Sequence, residues 1–205
     1  AMPPAVPVNE LLEVIDATPQ SPPLETDDPG VPDKGEYEIN LLTEADLNPN
    51  GRSLNLLTID ANYGVVLKGW GHELPTQLKF EAPIVAQRDG SNPYEIGVGN
   101  SAAGLKFNFY NDDNRGLRIS VYPQLEFSPV AGVEKGVADA GQTVILPLLV
   151  SQESKYVTLV GNAGVSRPIH DDSREAMANL GLGMGRAFAR KLAVMGEVYS
   201  TSSMN

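Results

Sequence analysis

Leu117-Arg118-Ile119-Ser120-Val121-Tyr122-Pro123-Gln124-Leu125-Glu126-Phe127 alternates without a break between two kinds of residue. Leu117, Ile119, Val121, Pro123, Leu125 and Phe127 take one parity, and Arg118, Ser120, Tyr122, Gln124 and Glu126 take the other. Successive side chains of a β-strand point to opposite faces, whereas a helix repeats about every 3.6 residues. A stretch of this length with period two predicts a strand with one apolar and one polar face.

The same pattern extends in both directions. Upstream, Tyr37, Ile39 and Leu41 alternate with Glu36, Glu38 and Asn40. Leu57, Ile59, Ala61, Tyr63 and Val65 oppose Thr58, Asp60 and Asn62. Leu78, Phe80, Ala82 and Ile84 oppose Gln77, Lys79 and Glu81, and Leu105, Phe107 and Phe109 oppose Lys106 and Asn108. Downstream the pattern is less clean. Val144 to Val150 is apolar on both faces and is interrupted by Pro147. Tyr156 to Val165 and Leu192 to Ser200 are further strand candidates. In Met177 to Phe188, a helix starting at Ser173 competes with a strand, but Gly181, Gly183 and Gly185 at spacing two favour a strand with one face kept small.

Nine strands are predicted, joined by short and long connections in alternation. Asn111 to Asn114, Gln152 to Ser154 and Arg190-Lys191 are short links, and Val66 to His72 is intermediate. Glu44 to Ser53, Gln87 to Asn100, Ser128 to Thr143 and Arg167 to Arg174 read as longer polar stretches. Ahead of the strands, residues 1–34 hold half of the 16 prolines, a density that blocks both helix interiors and central strands. They read as a largely extended arm, with room for a helical turn or two at Glu10 to Ile15. Such an arm could plug a barrel, hang free or bind a partner. The predicted organisation is therefore a Pro-rich arm, residues 1–34, and an antiparallel β domain, residues 35–205.

Composition narrows the function classes. The net charge of -11 repels phosphate backbones, which argues against nucleic acid as a partner. Without cysteine there are no disulfides, thiol nucleophiles or zinc-thiolate sites. No run approaches the roughly 18 to 20 apolar residues of a membrane helix, whereas barrel strands need only about 9 to 11 residues each. The opening Ala1-Met2 reads as a trimmed start or an expression scar.

Two-faced strands suit two surroundings. In a soluble sandwich the apolar faces meet inside; in an outer-membrane barrel they meet lipid, and the charged faces line a lumen. Several predicted strands exceed the usual length of about 5 to 6 residues in soluble proteins, and the alternating connection lengths match barrels with short periplasmic turns. Tyr63, Tyr110, Phe127 and Tyr199 near strand ends fit interfacial girdles and core edges equally well. Periodicity alone leaves both architectures open.

Pro23-Leu24-Glu25-Thr26-Asp27-Asp28-Pro29-Gly30, followed by Asp33-Lys34-Gly35-Glu36-Tyr37-Glu38-Ile39-Asn40, resembles the entry into the first strand of a bacterial outer-membrane family. That family is described as transporters, or as proteins related to the meta-cleavage pathway of phenol degradation. Leu56 to Gly64, Gln77 to Pro83 and Val121 to Phe127 resemble it too, and the likeness runs from about Pro23 to the end. The resemblance implies an up-and-down antiparallel outer-membrane β-barrel that transports small hydrophobic or aromatic compounds. It brings no catalytic residues and no cofactor. Single-chain bacterial barrels normally have an even number of strands, so nine strands and an ending without a closing aromatic strand suggest a partial chain or one unrecognised strand.

Motifs for chemistry are sparse. Gly97-Val98-Gly99-Asn100-Ser101-Ala102 matches a loose dinucleotide pattern, but a strand-like segment follows where a helix is required. His170-Asp171-Asp172 could bind a hard cation, though a polar turn after Pro168 accounts for it as well. Neither a nucleophile elbow nor a phosphate loop occurs, so the chain is not expected to be an enzyme. The functional candidates are charged residues on the polar faces: Glu38, Asp60, Lys79, Glu81, Lys106, Arg118 and Glu126. They are expected to line a narrow lumen, which requires Lys79 and Arg118 to avoid the lipid side. The leading expectation is an outer-membrane conduit whose partners are lipid and a small solute. The alternatives are a soluble secreted β-barrel or sandwich that binds a small apolar ligand, and a structural or adhesion protein.

Overall fold

The computed structural model describes residues 16–21, 24–48, 51–69, 72–89, 93–154, 157–169, 174–189 and 192–204. The Glu10 to Ile15 run, the His170-Asp171-Asp172 loop and the Arg190-Lys191 link lie outside these residues. The strands are β1 (Tyr37–Asn48), β2 (Gly51–Gly69), β3 (His72–Asp89), β4 (Glu95–Val98), β5 (Ser101–Asp112), β6 (Leu117–Val121), β7 (Gln124–Phe127), β8 (Gln142–Glu153), β9 (Thr158–Ile169), β10 (Met177–Ala189) and β11 (Leu192–Ser203). Among the described residues one short helix, α1 (Val130–Glu134), sits between β7 and β8. No described helix is long and apolar enough to cross a membrane, which says nothing about strands.

All strands belong to one antiparallel meander sheet, with the path β1-β2-β3-β5-β6-β8-β9-β10-β11. Two of its nine positions are divided. β4 continues β5 along β3, and β7 continues β6 between β5 and β8. The second break falls at Tyr122-Pro123, inside the stretch with the strictest alternation. Proline has no N–H for the ladder, yet pairing survives around it: Leu105 N donates to Pro123 O at 3.0 Å, and Tyr122 N donates to Pro147 O at 3.0 Å. Pro147 does not end β8 either. It pairs with Gly164, where a Cβ would lie 2.7 Å from Pro147 Cα, so the glycine leaves the proline its space.

Three readings of the connections need correction. Glu44 to Ser53 and Val66 to His72 are mostly ladder, because β1, β2 and β3 form two long hairpins. Gln87 to Asn100 contains the short strand β4. The segment from Met177 onward is the strand that its glycine spacing predicts, paired to both β9 and β11. Antiparallel order puts the 113–116 link with Glu153 of β8 and Thr158 of β9 at one end of the sheet, and the longer 128–141 segment with Asp89 of β3, Ile169 of β9 and Met177 of β10 at the other.

The two faces differ sharply in what covers them. Tyr37, Ile39, Leu182 and Val198 are 74%, 62%, 60% and 76% exposed, and Phe80, Leu105, Leu146 and Leu148 share their face and are also exposed. On the opposite face Asp60, Lys106 and Ser120 are 2%, 3% and 0% exposed, and Asn62, Gln77 and Asn108 are buried too. One face is therefore apolar and bare, while the other, which carries these polar groups beside Leu149 and Val160, is covered, the reverse of a water-soluble core. Register shifts at Leu42/Glu44, Asn55/Leu57 and Asn108/Tyr110 add the local bending that bulges supply. Among the described residues no ladder joins β1 to β11. With eight antiparallel steps between them, those edge strands run in the same direction.

Candidate functional site

The polar face of β1–β3 holds a continuous network. Antiparallel register places Asn40, Asp60 and Glu81 in one row, and Glu38, Asn62 and Lys79 in the next. Asn40 Nδ2 donates to Glu38 Oε1 at 2.9 Å and to Asp60 Oδ2 at 3.2 Å. Asn62 Nδ2 donates to the same Asp60 oxygen at 3.1 Å, and Gln77 Nε2 donates to Asn62 Oδ1 at 2.6 Å. Lys79 bridges Glu81 at 2.8 Å and Asp60 at 3.4 Å. Buried charges persist only when paired and hydrogen-bonded: Asp60 takes two amide donors on Oδ2, while Oδ1 has only the 3.4 Å contact with Lys79.

What covers this face is the arm. Its described residues, 16–21 and 24–36, form neither helix nor strand, and its prolines explain why. Lys106 of β5 donates to Asp27 Oδ1 at 3.0 Å and to the Asp28 carbonyl at 2.8 Å. The Pro29 carbonyl accepts from Ser120 Oγ at 2.5 Å and from Asn108 Nδ2 at 3.1 Å. The Glu197 carboxylate of β11 accepts from the backbone N–H groups of Glu25 at 3.0 Å and Thr26 at 2.8 Å. The fixed spacing of an extended arm thus meets β5, β6 and β11 together.

Glycines make the room. A Cβ at Gly183 would lie 2.7 Å from Pro19 Cβ, and one at Gly181 would lie 3.0 Å from Thr26 Oγ1. At Gly185 it would strike the Ala17 carbonyl, and at Gly64 the carbonyls of Pro32 and Asp33. The small face predicted for β10 is therefore the bed of the arm.

The long 128–141 segment is tied across the sheet end by Asn100. Its Oδ1 accepts from Ser128 Oγ at 3.0 Å and from Asp139 N at 2.9 Å, and its Nδ2 donates to Asp139 Oδ2 at 3.0 Å. Gly97 and Gly99 pack closely against Val137 and Val85, and strand β5 follows them. The glycine pattern in this region thus serves packing, with no helix to receive a phosphate.

Polar space remains between arm and sheet. A cavity of about 190 Å³ is lined by Asp27, Asp28, Asp60, Lys79, Lys106 and Tyr122 among others. A second, of about 360 Å³, lies between the 136–139 stretch and Ser53, Thr58, Glu81 and Gln87. Burial lifts the Asp27 carboxyl above the usual carboxylate range, with Lys106 pulling the other way. Glu25 is raised by burial and then by the carboxylates of Glu197, Glu44 and Glu81. Among the described residues no His, Asp or Glu group is arranged to hold a metal ion.

Of the sequence candidates, Glu38, Asp60, Lys79 and Glu81 form one cluster, and Lys106 anchors the arm. Glu126 pairs in register with Ala102, beside Glu81, and is half-buried. Arg118 shares the parity of buried Ser120 but sits at the turn end, near Asn111 and Asp113. Tyr199 is opposite Gly181 on the arm-facing side, which removes it from any outer girdle. No protein-family model, curated protein or solved structure matches the chain. Sequence reasoning missed Asp27, Thr26, Pro29, Asn108, Ser120 and Glu197, whose roles depend on contacts between segments far apart in the chain.

Proposed function

We propose that the chain forms the wall of a bacterial outer-membrane β-barrel with its arm in the lumen, and that it is a conduit for small solutes. The observation that carries this reading is the inversion of the faces: Ile39, Phe80, Leu182 and Val198 are bare while Asp60, Lys106 and Ser120 are covered. Soluble monomers rarely leave a contiguous apolar patch beyond a few hundred Å², whereas lipid accepts such a band directly. Strands of 12 to 19 residues along most of the path are long enough to span the apolar layer even when tilted. Tyr37 stacks on Tyr63 at 4.5 Å on the bare face, a pair that fits an interfacial girdle. The resemblance to the outer-membrane family points the same way.

Lipid cannot satisfy the open edges of β1 and β11. The arm brings the two edges to one place. Glu25 and Thr26 are held by Glu197 of β11, and Glu25 shares a cavity with Leu42, Thr43 and Glu44 of β1. Because both edges run in the same direction, a ladder closing them directly is parallel. In this reading Glu38, Asp60, Lys79, Glu81, Lys106 and Glu126 line the lumen, with Arg118 at its mouth. A lining of this charge favours small polar or charged solutes over hydrophobic ones.

The test is carbonate extraction of membranes, a heat-modifiability gel and swelling of reconstituted liposomes. Retention in the pellet, faster migration unboiled and solute-dependent swelling are expected. A chain that folds and stays dispersed without detergent would contradict the reading and turn attention to a secreted binding protein.

A further inference from the structure

The arm is held on the polar face by a different class of contact from those that hold the sheet. Among the described residues, the ties between arm residues 17–21 and 24–32 and the strands run through side chains: Glu197 to two backbone N–H groups, Lys106 to Asp27 and Asp28, and Asn108 and Ser120 to Pro29. Main-chain pairing starts only where the arm joins β1, with Gly35 N donating to Gly64 O at 2.9 Å and Gly64 N donating to Glu36 O at 3.0 Å. Prolines such as Pro19 and Pro29 lack the N–H needed to extend a ladder. The arm can therefore leave without opening any strand pair. Gly35, at φ +88°, takes the left-handed conformation that turns the chain from arm into ladder.

The bed is shaped for an occupant of this kind. Gly181, Gly183 and Gly185 leave a trough along β10 that Ala17, Pro19 and Thr26 fill. Prolines restrict the free arm to extended conformations, so seating it costs less entropy than seating a flexible segment. Polar space persists beneath it, in the cavity lined by Asp60, Lys79 and Lys106. Departure of the arm would join that space to the groove along β10.

We infer that residues 17–32 are a removable plug, seated by Glu197, Lys106 and the Asn108–Ser120 pair, and that unseating it opens the passage. This inference rests on the conduit reading. The chain has no cysteine, so a single engineered pair reports without background. Thr26→Cys with Gly181→Cys joins arm to bed, at positions where a Cβ on residue 181 lies 3.0 Å from Thr26 Oγ1. The full chain carrying this pair is reconstituted into planar bilayers, oxidised and then reduced. A second full-length variant, Lys106→Met with Glu197→Gln, weakens the seat without any cross-link.

Oxidised protein is expected to conduct little, to gain conductance several-fold on reduction, and to be exceeded by the weakened-seat variant. Equal conductance in all three states would overturn the plug and leave the conduit standing. Silence in all three, from protein that is folded and inserted by its gel shift, would overturn the conduit reading and the plug with it.

Discussion

Lys106 Nζ lies 3.0 Å from Asp27 Oδ1, joining the arm to strand β5 across 79 residues of sequence. The lysine is 3% exposed and also takes the Asp28 carbonyl at 2.8 Å. Removing one member of a buried ion pair leaves the other charge uncompensated, at a cost of about 3–5 kcal/mol. Lys106→Met is expected to release the arm, and limited proteolysis should then cut within residues 17–32 while the strands stay protected. Adding Asp27→Asn should recover part of the loss, so that the double-mutant cycle shows a non-additive term. Additive effects would mean that the two side chains act separately.

A side chain at Gly183 should expel the arm by bulk. Gly183→Val suits a strand by propensity, yet its Cβ alone would lie 2.7 Å from Pro19. Hydrogen exchange is expected to stay slow in β9, β10 and β11 while the arm loses its protection. Equal loss in arm and strands would show that the glycine serves the sheet itself.

The apolar face gives a prediction whose size depends on the solvent. Phe80 is 51% exposed, so Phe80→Arg would change stability by at most about 0.5 kcal/mol in a soluble protein. Facing the middle of a bilayer, the same change costs about 2–4 kcal/mol. Urea unfolding from liposomes is expected to show the larger figure.

Seating of the arm should depend on pH through Glu25. Burial, followed by Glu197, Glu44 and Glu81, raises its carboxyl above the ordinary value of 4.5 in the seated arm. The seated state therefore favours the protonated form. Its contribution is fully present below 4.5 and is lost as pH rises through the raised value. A dye on Ser21→Cys should report tighter seating on acidification through that window, and Glu25→Gln should weaken the dependence while Asp27, raised by its own burial, keeps the remainder.

The nine positions of the sheet were legible because period two survives wherever each residue sees only one face, as in Leu117 to Phe127. Glu95–Val98 escaped notice because four residues beside Pro93 are too short to show a period. The lengths of β2 and β3 were underestimated where polar residues, such as Arg52 and Ser53 or Gln87 and Arg88, end the apolar count. The cluster of Glu38, Asp60, Lys79 and Glu81 followed from parity alone, since neighbouring hairpins keep register. The arm's seat did not, because nothing local ties Pro29 to Ser120 or Thr26 to Glu197. Only the glycines at 181, 183 and 185 carried a trace of it, as a face that had to stay small for a reason the sequence did not name.

The claim that the apolar face meets lipid is tested most directly by quenching. Single cysteines at Leu41, Phe80 and Leu182 on one face, and at Asn62 and Ser120 on the other, are labelled with a fluorophore in protein reconstituted with brominated lipids. Strong quenching on the first face and weak quenching on the second, alternating with residue parity along each strand, is expected. Weak quenching at every position, or the opposite alternation, would contradict it.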